Sequence, residues 1–180
     1  MAADSQYSSS VIFDRQRQLL SLLDALGGRA STEDFQNLLF LHCQGMEEPR
    51  PYEFVPHGSG PYSFTLHADK RRLAERGLLA DDEHVWELTE KGRNAMREDS
   101  QRKPMAAFAK SHAKLRGDKL AVESYRRFPY YAIQSEMAER LLARDSESIR
   151  KIRAARPKAA SPGMRTIGYE ERSLEGYLND

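Results

Sequence analysis

The sequence predicts a mostly α-helical protein with one small β-hairpin. Three observations support this fold class. Leucines recur at helical spacing over residues 13–26, and apolar residues do so again over residues 104–156. Between these regions, two short apolar runs flank the acidic residues 81–83, which is typical of a hairpin. No apolar run approaches the roughly 18 residues of a membrane-spanning helix, so we expect no membrane association.

The first two helices are predicted within residues 13–42. Residues 1–12 are mostly small and polar, and we expect a disordered tail there. Gly27-Gly28 ends the first leucine-rich run. Ser31 then follows, and its hydroxyl can accept a hydrogen bond from the first free amides of a second helix. The apolar face of that helix would carry Phe35, Leu38, Leu39 and His42.

A third helix is predicted after the proline- and glycine-rich residues 49–61. Proline at the first helical position costs no hydrogen bond, so Gly60-Pro61 is the predicted start, and Gly77 ends the helix. Its inner face would carry Tyr62, Leu66 and Leu73. Its outer face would carry Thr65, Ala68, Arg71, Arg72 and Glu75.

The hairpin and a closing helix complete the first domain, predicted over residues 13–99. Leu78-Leu79 and residues 85–88 would form the two arms, and Thr89 would cap a helix running from Glu90 to about Glu98. Three helices, a hairpin and a closing helix in this order predict a winged helix, a variant of the helix-turn-helix. Residues 77–79 and 86–92 resemble the wing of many bacterial winged-helix regulators. Residues 52–56 and 60–63 are similar to a segment of phage-associated and antitoxin-type domains of the Panacea kind.

Residues 100–156 predict a basic helical segment, followed by a linker at residues 157–163. Pro129 should interrupt the segment, because proline removes a backbone donor. Helices are expected near Met105, Phe108 and His112, then over residues 120–126, 136–143 and 146–155, with Ser135 capping the third.

Charge is distributed unevenly along the chain. Residues 1–99 carry 11 Lys and Arg against 17 Asp and Glu, a balance of −6. Residues 100–165 carry 16 against 6, a balance of +10. A polyanionic partner is therefore expected to bind the middle of the chain.

Residues 164–180 resemble the opening of the bacterial domain of unknown function 488 family. The matching positions are Thr166, Ile167, Gly168, Arg172, Ser173, Leu174, Tyr177 and Leu178. The resemblance implies a strand and a Ser173-capped helix at the start of an α/β domain, with the chain truncated just inside it. We expect this segment to be disordered, or to pack on the preceding helices or on a second chain.

Basic side chains in two regions are the candidate DNA contacts. Arginine can bind guanine edges or phosphates, and the third helix holds the recognition position of a winged helix. Its candidates are Thr65, Lys70, Arg71, Arg72 and Arg76; the downstream candidates are Arg126, Arg127, Arg150, Lys151, Arg153 and Arg156. The alternative for the third helix is a solvated face, because Glu75 and the acidic turn would repel phosphates. The alternative function is an antitoxin-like module for protein interaction or dimerisation, with no direct nucleic-acid binding.

The sequence predicts no catalytic, metal or cofactor site. The histidines lack paired ligand spacing, and Cys43 is expected to be a buried apolar residue. Residues 57–61 are interpreted as a helix start and not as a phosphate loop. Aromatics in the basic segment could stack on bases, but a helical core is favoured; they are Phe108, Tyr125, Phe128, Tyr130 and Tyr131. One cysteine and a polar start fit a cytoplasmic location. Because no catalytic pattern is present, we expect that the chain is not an enzyme.

Overall fold

The computed structural model describes residues 11–157 and 173–179. The described helices are α1 (Asp14–Ala25), α2 (Thr32–Gln44), α3 (Phe64–Glu75), α4 (Glu90–Ala95), α5 (Arg102–Ser111), α6 (Asp118–Arg127), α7 (Ala138–Leu141), α8 (Ser146–Ala154) and α9 (Leu174–Leu178), with a 3₁₀ helix at Pro129–Ala132. The strands are β1 (Arg29–Ser31), β2 (Val55–His57), β3 (Gly60–Tyr62) and β4 (Val85–Glu87). The prediction of a mostly α chain with a small β component is confirmed.

Three of the expectations lie wholly or mainly outside the described residues. These are the disordered tail, the linker at residues 157–163 and the strand containing Thr166, Ile167 and Gly168. None of the helices that the structure describes is long and apolar enough to cross a bilayer.

Spatial contacts group the chain into two units, each made of two separate stretches. The first unit comprises Met1–Phe35 and Ala68–Ala113, and the second comprises Gln36–His67 and Lys114–Asp180. The boundary at residue 99, which rests on charge and composition, stays a prediction.

A small antiparallel β structure lies in the first unit. The predicted hairpin is present, since Leu79 pairs with Leu88 and the Ala80 N–H donates to the Glu87 carbonyl at 2.9 Å. Strand β4 also pairs with β1, a pairing that the sequence pattern does not predict. Trp86 in β4 is fully buried, and its ring stacks on that of Phe35 with a centroid distance of 4.4 Å. This stacking adds to the apolar burial that holds the strands in place.

A buried carboxylate joins α1 to α3 in the first unit. Asp69 is fully buried and accepts hydrogen bonds from Arg15 Nε at 2.6 Å and from Gln16 Nε2 at 2.9 Å. Helix α1 also packs on α5. Helix α3 ends where predicted, because Gly77 takes a positive φ of 71° that other residues rarely adopt.

In the second unit, the third helix starts later than predicted. Gly60 and Pro61 lie in β3, which pairs with β2, and α3 begins at Phe64. Pro61 faces Pro56 in a two-stranded ladder, where each strand has a free edge and a missing donor is tolerated. Ser63 caps the helix by accepting from the Leu66 N–H at 3.2 Å.

Aromatic side chains fill the interior of the second unit. Phe40 in α2 makes edge contacts with Phe54, Phe128 and Tyr131 at centroid distances of 5.2, 5.3 and 4.8 Å. Tyr125 is fully buried in a cluster with Ala132, Ala138, Leu142 and Ile152. Tyr125 is therefore a core residue and is not exposed for base stacking. The predicted helix at residues 136–143 is shorter in the structure, where α7 spans Ala138–Leu141.

Candidate nucleic-acid interface

Lys70 lies on α3, but its ammonium group contacts the acidic turn. Its Nζ lies 4.8 Å from the Trp86 ring centroid and donates to the Asp82 carbonyl at 2.5 Å. Burial lowers the pKa of Lys70, and the nearby carboxylates of Asp82, Asp81 and Glu83 act in the opposite direction. Lys70 therefore fixes the turn against α3 and is only partly available to an external anion.

The three arginines of α3 differ in how far they are engaged. Arg76 donates from Nη1 to the Val11 carbonyl at 3.0 Å. Arg72 lies 3.8 Å from the Asp69 carboxylate, and its side chain is 60% exposed. Arg71 is exposed and has no acidic partner among residues 11–157 and 173–179. Arg71 and Arg72 are thus the α3 cations that remain open to a phosphate.

Thr65, in the first turn of α3, binds a carboxylate from the other end of the chain. The Thr65 N–H donates to Glu175 Oε1 at 2.7 Å, and the Thr65 hydroxyl donates to Oε2 at 3.1 Å. The Ser63 hydroxyl donates to Oε1 at 2.9 Å, and both Ser63 and Glu175 are fully buried. A helix N-terminus favours an anion, because its free N–H groups and dipole present positive charge.

The C-terminal segment, residues 173–179, makes further polar contacts within the second unit. The Ser173 hydroxyl donates to the Glu53 carboxylate and accepts from the Gly176 N–H. Asn179 donates from Nδ2 to the Phe54 carbonyl at 2.7 Å and accepts from the Tyr130 hydroxyl at 3.1 Å. The described part of residues 164–180 therefore packs on this chain, which is one of the expected alternatives.

Apolar burial contributes little to the docking of the C-terminal segment. Leu174 and Leu178 are 51% and 52% exposed. A leucine that becomes fully buried contributes about 1.5–3 kcal/mol, and these two leave much of that contribution unrealised. A hydrogen bond to a charged group contributes about 1.5–3 kcal/mol before the cost of desolvating the carboxylate. The segment is therefore held chiefly by polar contacts.

Half of the downstream candidates already pair with acidic residues of the second unit. Arg126 on α6 contacts Asp145 at 2.8 Å. On α8, Lys151 contacts Glu147 at 2.7 Å, and Arg153 contacts Glu139 of α7 at 3.2 Å. The pairs are exposed and contribute little to stability, but each places a negative charge beside a predicted phosphate contact.

The other downstream candidates, Arg127, Arg150 and Arg156, are exposed and lack such pairs. None of the three forms an ion pair within the portion of the chain that the structure describes, although Arg150 lies near enough to Glu147 to help lower the pKa of that carboxylate. Arg127 lies 5.4 Å from the Phe128 ring centroid, a cation–π contact that leaves its N–H groups free to donate. We call Arg127, Arg150 and Arg156 the open arginines.

The described residues offer little for metal or nucleophilic chemistry. No group of three or more His, Cys, Asp or Glu within residues 11–157 and 173–179 is arranged to hold a metal ion. Cys43 is buried, and burial raises the pKa of its thiol to about 12. Residues 57–61 belong to the β2–β3 hairpin, so the predicted helix start at this loop is wrong.

Sequence reasoning missed Ser63, Glu53 and Glu175. Ser63 could have been found, because a serine three residues before a buried leucine is a common helix cap. The sequence instead predicts a helix start at Gly60-Pro61, three residues too early for this cap. Glu175 gave no local indication, since 110 residues separate it from Thr65.

Comparisons of the chain with protein-family models, with curated proteins and with solved structures found no match. The resemblances to winged-helix regulators, to Panacea-type domains and to the domain of unknown function 488 family therefore stay predictions.

Proposed function

We propose that residues 13–99 form a winged helix. The chain order supports this proposal: α1 is followed by β1, α2, α3 and the hairpin that ends in β4. The pairing of β4 with β1 is the sheet that such a domain requires. In this interpretation, the hairpin of residues 78–88 forms the wing with its acidic tip at residues 81–83, and α3 holds the position of the recognition helix.

We further propose that the chain binds nucleic acid through its uncommitted arginines. The observation that carries the proposal is that Arg71 and the open arginines are exposed and form no ion pair within the described chain. Arg72 adds a largely exposed guanidinium on α3. A guanidinium can donate two parallel hydrogen bonds to one phosphate, and residues 100–165 carry a charge of +10.

Two triple variants with equal charge change test the second unit. The first replaces the open arginines Arg127, Arg150 and Arg156 with glutamine, and the second replaces the paired Arg126, Lys151 and Arg153. Both lower the net charge by three, so a general charge effect is the same in each. We expect the first triple to weaken binding to duplex DNA at about 50 mM salt at least tenfold more than the second. Equal weakening, or no binding by the unaltered chain, would contradict the proposal.

A double variant tests α3 separately. We expect Arg71→Ala with Arg72→Ala to weaken duplex binding, with a smaller effect on single-stranded DNA, because the recognition helix reads the major groove. Arg93→Ala with Arg97→Ala removes the same charge from exposed positions on or next to α4 and is the control. If both double variants bind duplex DNA equally well, the interface lies on the basic segment alone.

A protein-interaction module is the second candidate function. Val11 and Phe13 are 65% and 53% exposed at the start of the first unit, and the wing tip is acidic. Such exposed apolar residues can mark a self-association surface. Sedimentation of the unaltered chain and of Phe13→Ser tests it. A dimer that dissociates in Phe13→Ser would favour this candidate, and a monomer in both would exclude dimerisation through this surface.

We also propose that residues 164–180 correspond to the opening strand and helix of the domain of unknown function 488 family. The cap supports this part of the proposal, since Ser173 accepts from the Gly176 N–H at the start of α9 as the resemblance implies. A search for the same Ser173-capped helix in a longer protein that carries the complete domain would test it.

A further inference from the structure

A carboxylate from a remote part of the chain occupies the first turn of α3. We propose that this turn is an oxyanion site in which Glu175 takes the place of a nucleic-acid phosphate, so that the C-terminal segment and nucleic acid exclude each other. The inference rests on the proposed function and adds its regulation.

The donors at this site suit a phosphate as well as a carboxylate. The Ser63 hydroxyl, the Thr65 N–H and the Thr65 hydroxyl converge on the two Glu175 oxygens at 2.7–3.1 Å. A phosphate group also presents two such oxygens with negative charge. Helix α3 is 12 residues long, so its N-terminus carries a developed dipole. The three donors are neutral, and their preference for an anion does not depend on which anion arrives.

The buried cap residue supplies a second indication that the site is built for an anion. Ser63 is fully buried, and its hydroxyl both caps α3 and donates to Glu175. If the segment left without replacement, the Ser63 and Thr65 donors would lose their anionic acceptor. Water would then accept from these donors but carries no charge, so the helix N-terminus binds an anion more favourably than it binds water.

The occupant is held in a way that permits exchange. Ser173 and Asn179 fix the register of the segment on Glu53, Phe54 and Tyr130, which directs Glu175 into the site. Leu174 and Leu178 remain half exposed and contribute little apolar burial. Competing phosphates can therefore displace the segment without having to break an apolar core.

The position of the site explains why the exchange would matter for function. In a helix-turn-helix, residues in the N-terminal part of the recognition helix contact the nucleic acid, and helix N-termini commonly bind backbone phosphates. In this chain the corresponding residue, Thr65, contacts Glu175. With the segment in place, the negative charge of Glu175 would repel an approaching phosphate.

The first experiment follows the Thr65 amide by NMR while inorganic phosphate is added. In the full chain carrying Glu175→Gln, we expect the amide resonance to move and to saturate with phosphate. In the unaltered chain and in Glu47→Gln, it should move at least fivefold less at the same phosphate concentrations. Glu47 is exposed in the second unit and matches the charge change. Circular dichroism and the emission of Trp86 confirm that each variant is folded.

A second variant separates the site from a general loss of structure. Adding Thr65→Ala to Glu175→Gln removes one donor, and we expect the phosphate response, followed at the Leu66 amide, to weaken several-fold. An unchanged response would overturn the assignment of the site. A Thr65 amide that ignores phosphate in Glu175→Gln would also overturn it, whatever the nucleic-acid result.

The last arm measures binding to duplex DNA at about 50 mM salt. We expect Glu175→Gln to bind roughly tenfold more tightly than the unaltered chain, within the usual range of coupling between sites, and Glu47→Gln to bind within twofold of it. Equal binding by all three proteins would overturn the exclusion and leave the proposed function standing. No binding by any of them would overturn the proposed function and the exclusion with it, while the phosphate titration still decides whether the site exists.

Discussion

Two fully buried carboxylates, one in each unit, are satisfied in different ways. Asp69 in the first unit accepts from the Arg15 guanidinium and from the Gln16 amide. Glu175 in the second unit accepts from the hydroxyls of Ser63 and Thr65 and from a backbone N–H. No cation of the described chain lies within ion-pair distance of Glu175.

The difference separates a structural contact from an exchangeable one. Asp69 belongs to the middle of α3 and pairs with a cation on α1, so its loss leaves that cation next to a buried gap. Glu175 belongs to a short segment with two half-exposed leucines. The Ser63 and Thr65 groups that donate to it can donate to another anion in its place. Burial alone therefore does not distinguish a core carboxylate from a displaceable ligand. The chemistry of the partners does.

The largest loss of stability is expected from replacing Asp69. Asp69→Ala should lower the free energy of unfolding by about 3 kcal/mol, because it removes a buried carboxylate that accepts from both Arg15 and Gln16. Trp86 lies in the same unit, so urea unfolding followed by its emission measures the change. The control is Asp14→Ala, since the Asp14 side chain is fully exposed and contacts Arg17 only at 4.0 Å. A loss below about 1 kcal/mol at Asp69 would mean that the contact is not structural.

A smaller loss of stability is expected in the second unit when the pH is lowered mildly. Burial lowers the pKa of His42 on α2 from 6.5, so below pH 6.5 the unfolded chain binds a proton more readily than the folded one. Stability should therefore fall as the pH drops from 6.5 towards the lowered pKa. Hydrogen exchange of the α2 amides measures the fall, which His42→Gln should reduce and replacement of the exposed His84 should not. The same slope in all three proteins would exclude His42 as its cause.

The smallest effect on stability is expected at Glu175. Glu175→Ala should lower the free energy of unfolding by about 1 kcal/mol or less, since desolvation of the carboxylate offsets much of its hydrogen bonding. Urea unfolding followed by far-ultraviolet circular dichroism measures it. A loss as large as that of Asp69→Ala would show that the C-terminal segment is an integral part of the second unit, and the contrast between the two carboxylates would disappear.

The helices were predictable because their apolar residues recur with the helical period and their ends carry recognisable caps. Ser31 and Thr89 each accept from the N–H group three residues later, as the sequence predicts, and Ser173 does so as the resemblance implies. The hairpin at Leu79 and Leu88 was predictable for a similar reason, because two apolar runs flank a polar turn.

The missed features depend on contacts between remote residues. Strand β1 has only three residues, too few for a recognisable strand pattern, and it forms because β4 is available to pair with it. Strands β2 and β3 contain facing prolines, which local propensity places outside a sheet. The pairing of Arg126, Lys151 and Arg153 with acidic residues could not be predicted from composition, because it depends on how α6, α7 and α8 pack. The candidate site was therefore predictable as a basic region but not as a set of open arginines.

The salt dependence of DNA binding tests the central claim most directly. The logarithm of the binding constant should fall linearly with the logarithm of the salt concentration, with a slope near 0.9 for each phosphate neutralised. We predict that Arg150→Gln makes this slope shallower by about 0.9 and that Lys151→Gln, whose charge is balanced by Glu147, changes it by less than half as much. Equal slopes in all three proteins, or binding that does not depend on salt, would contradict a nucleic-acid interface built on the open arginines.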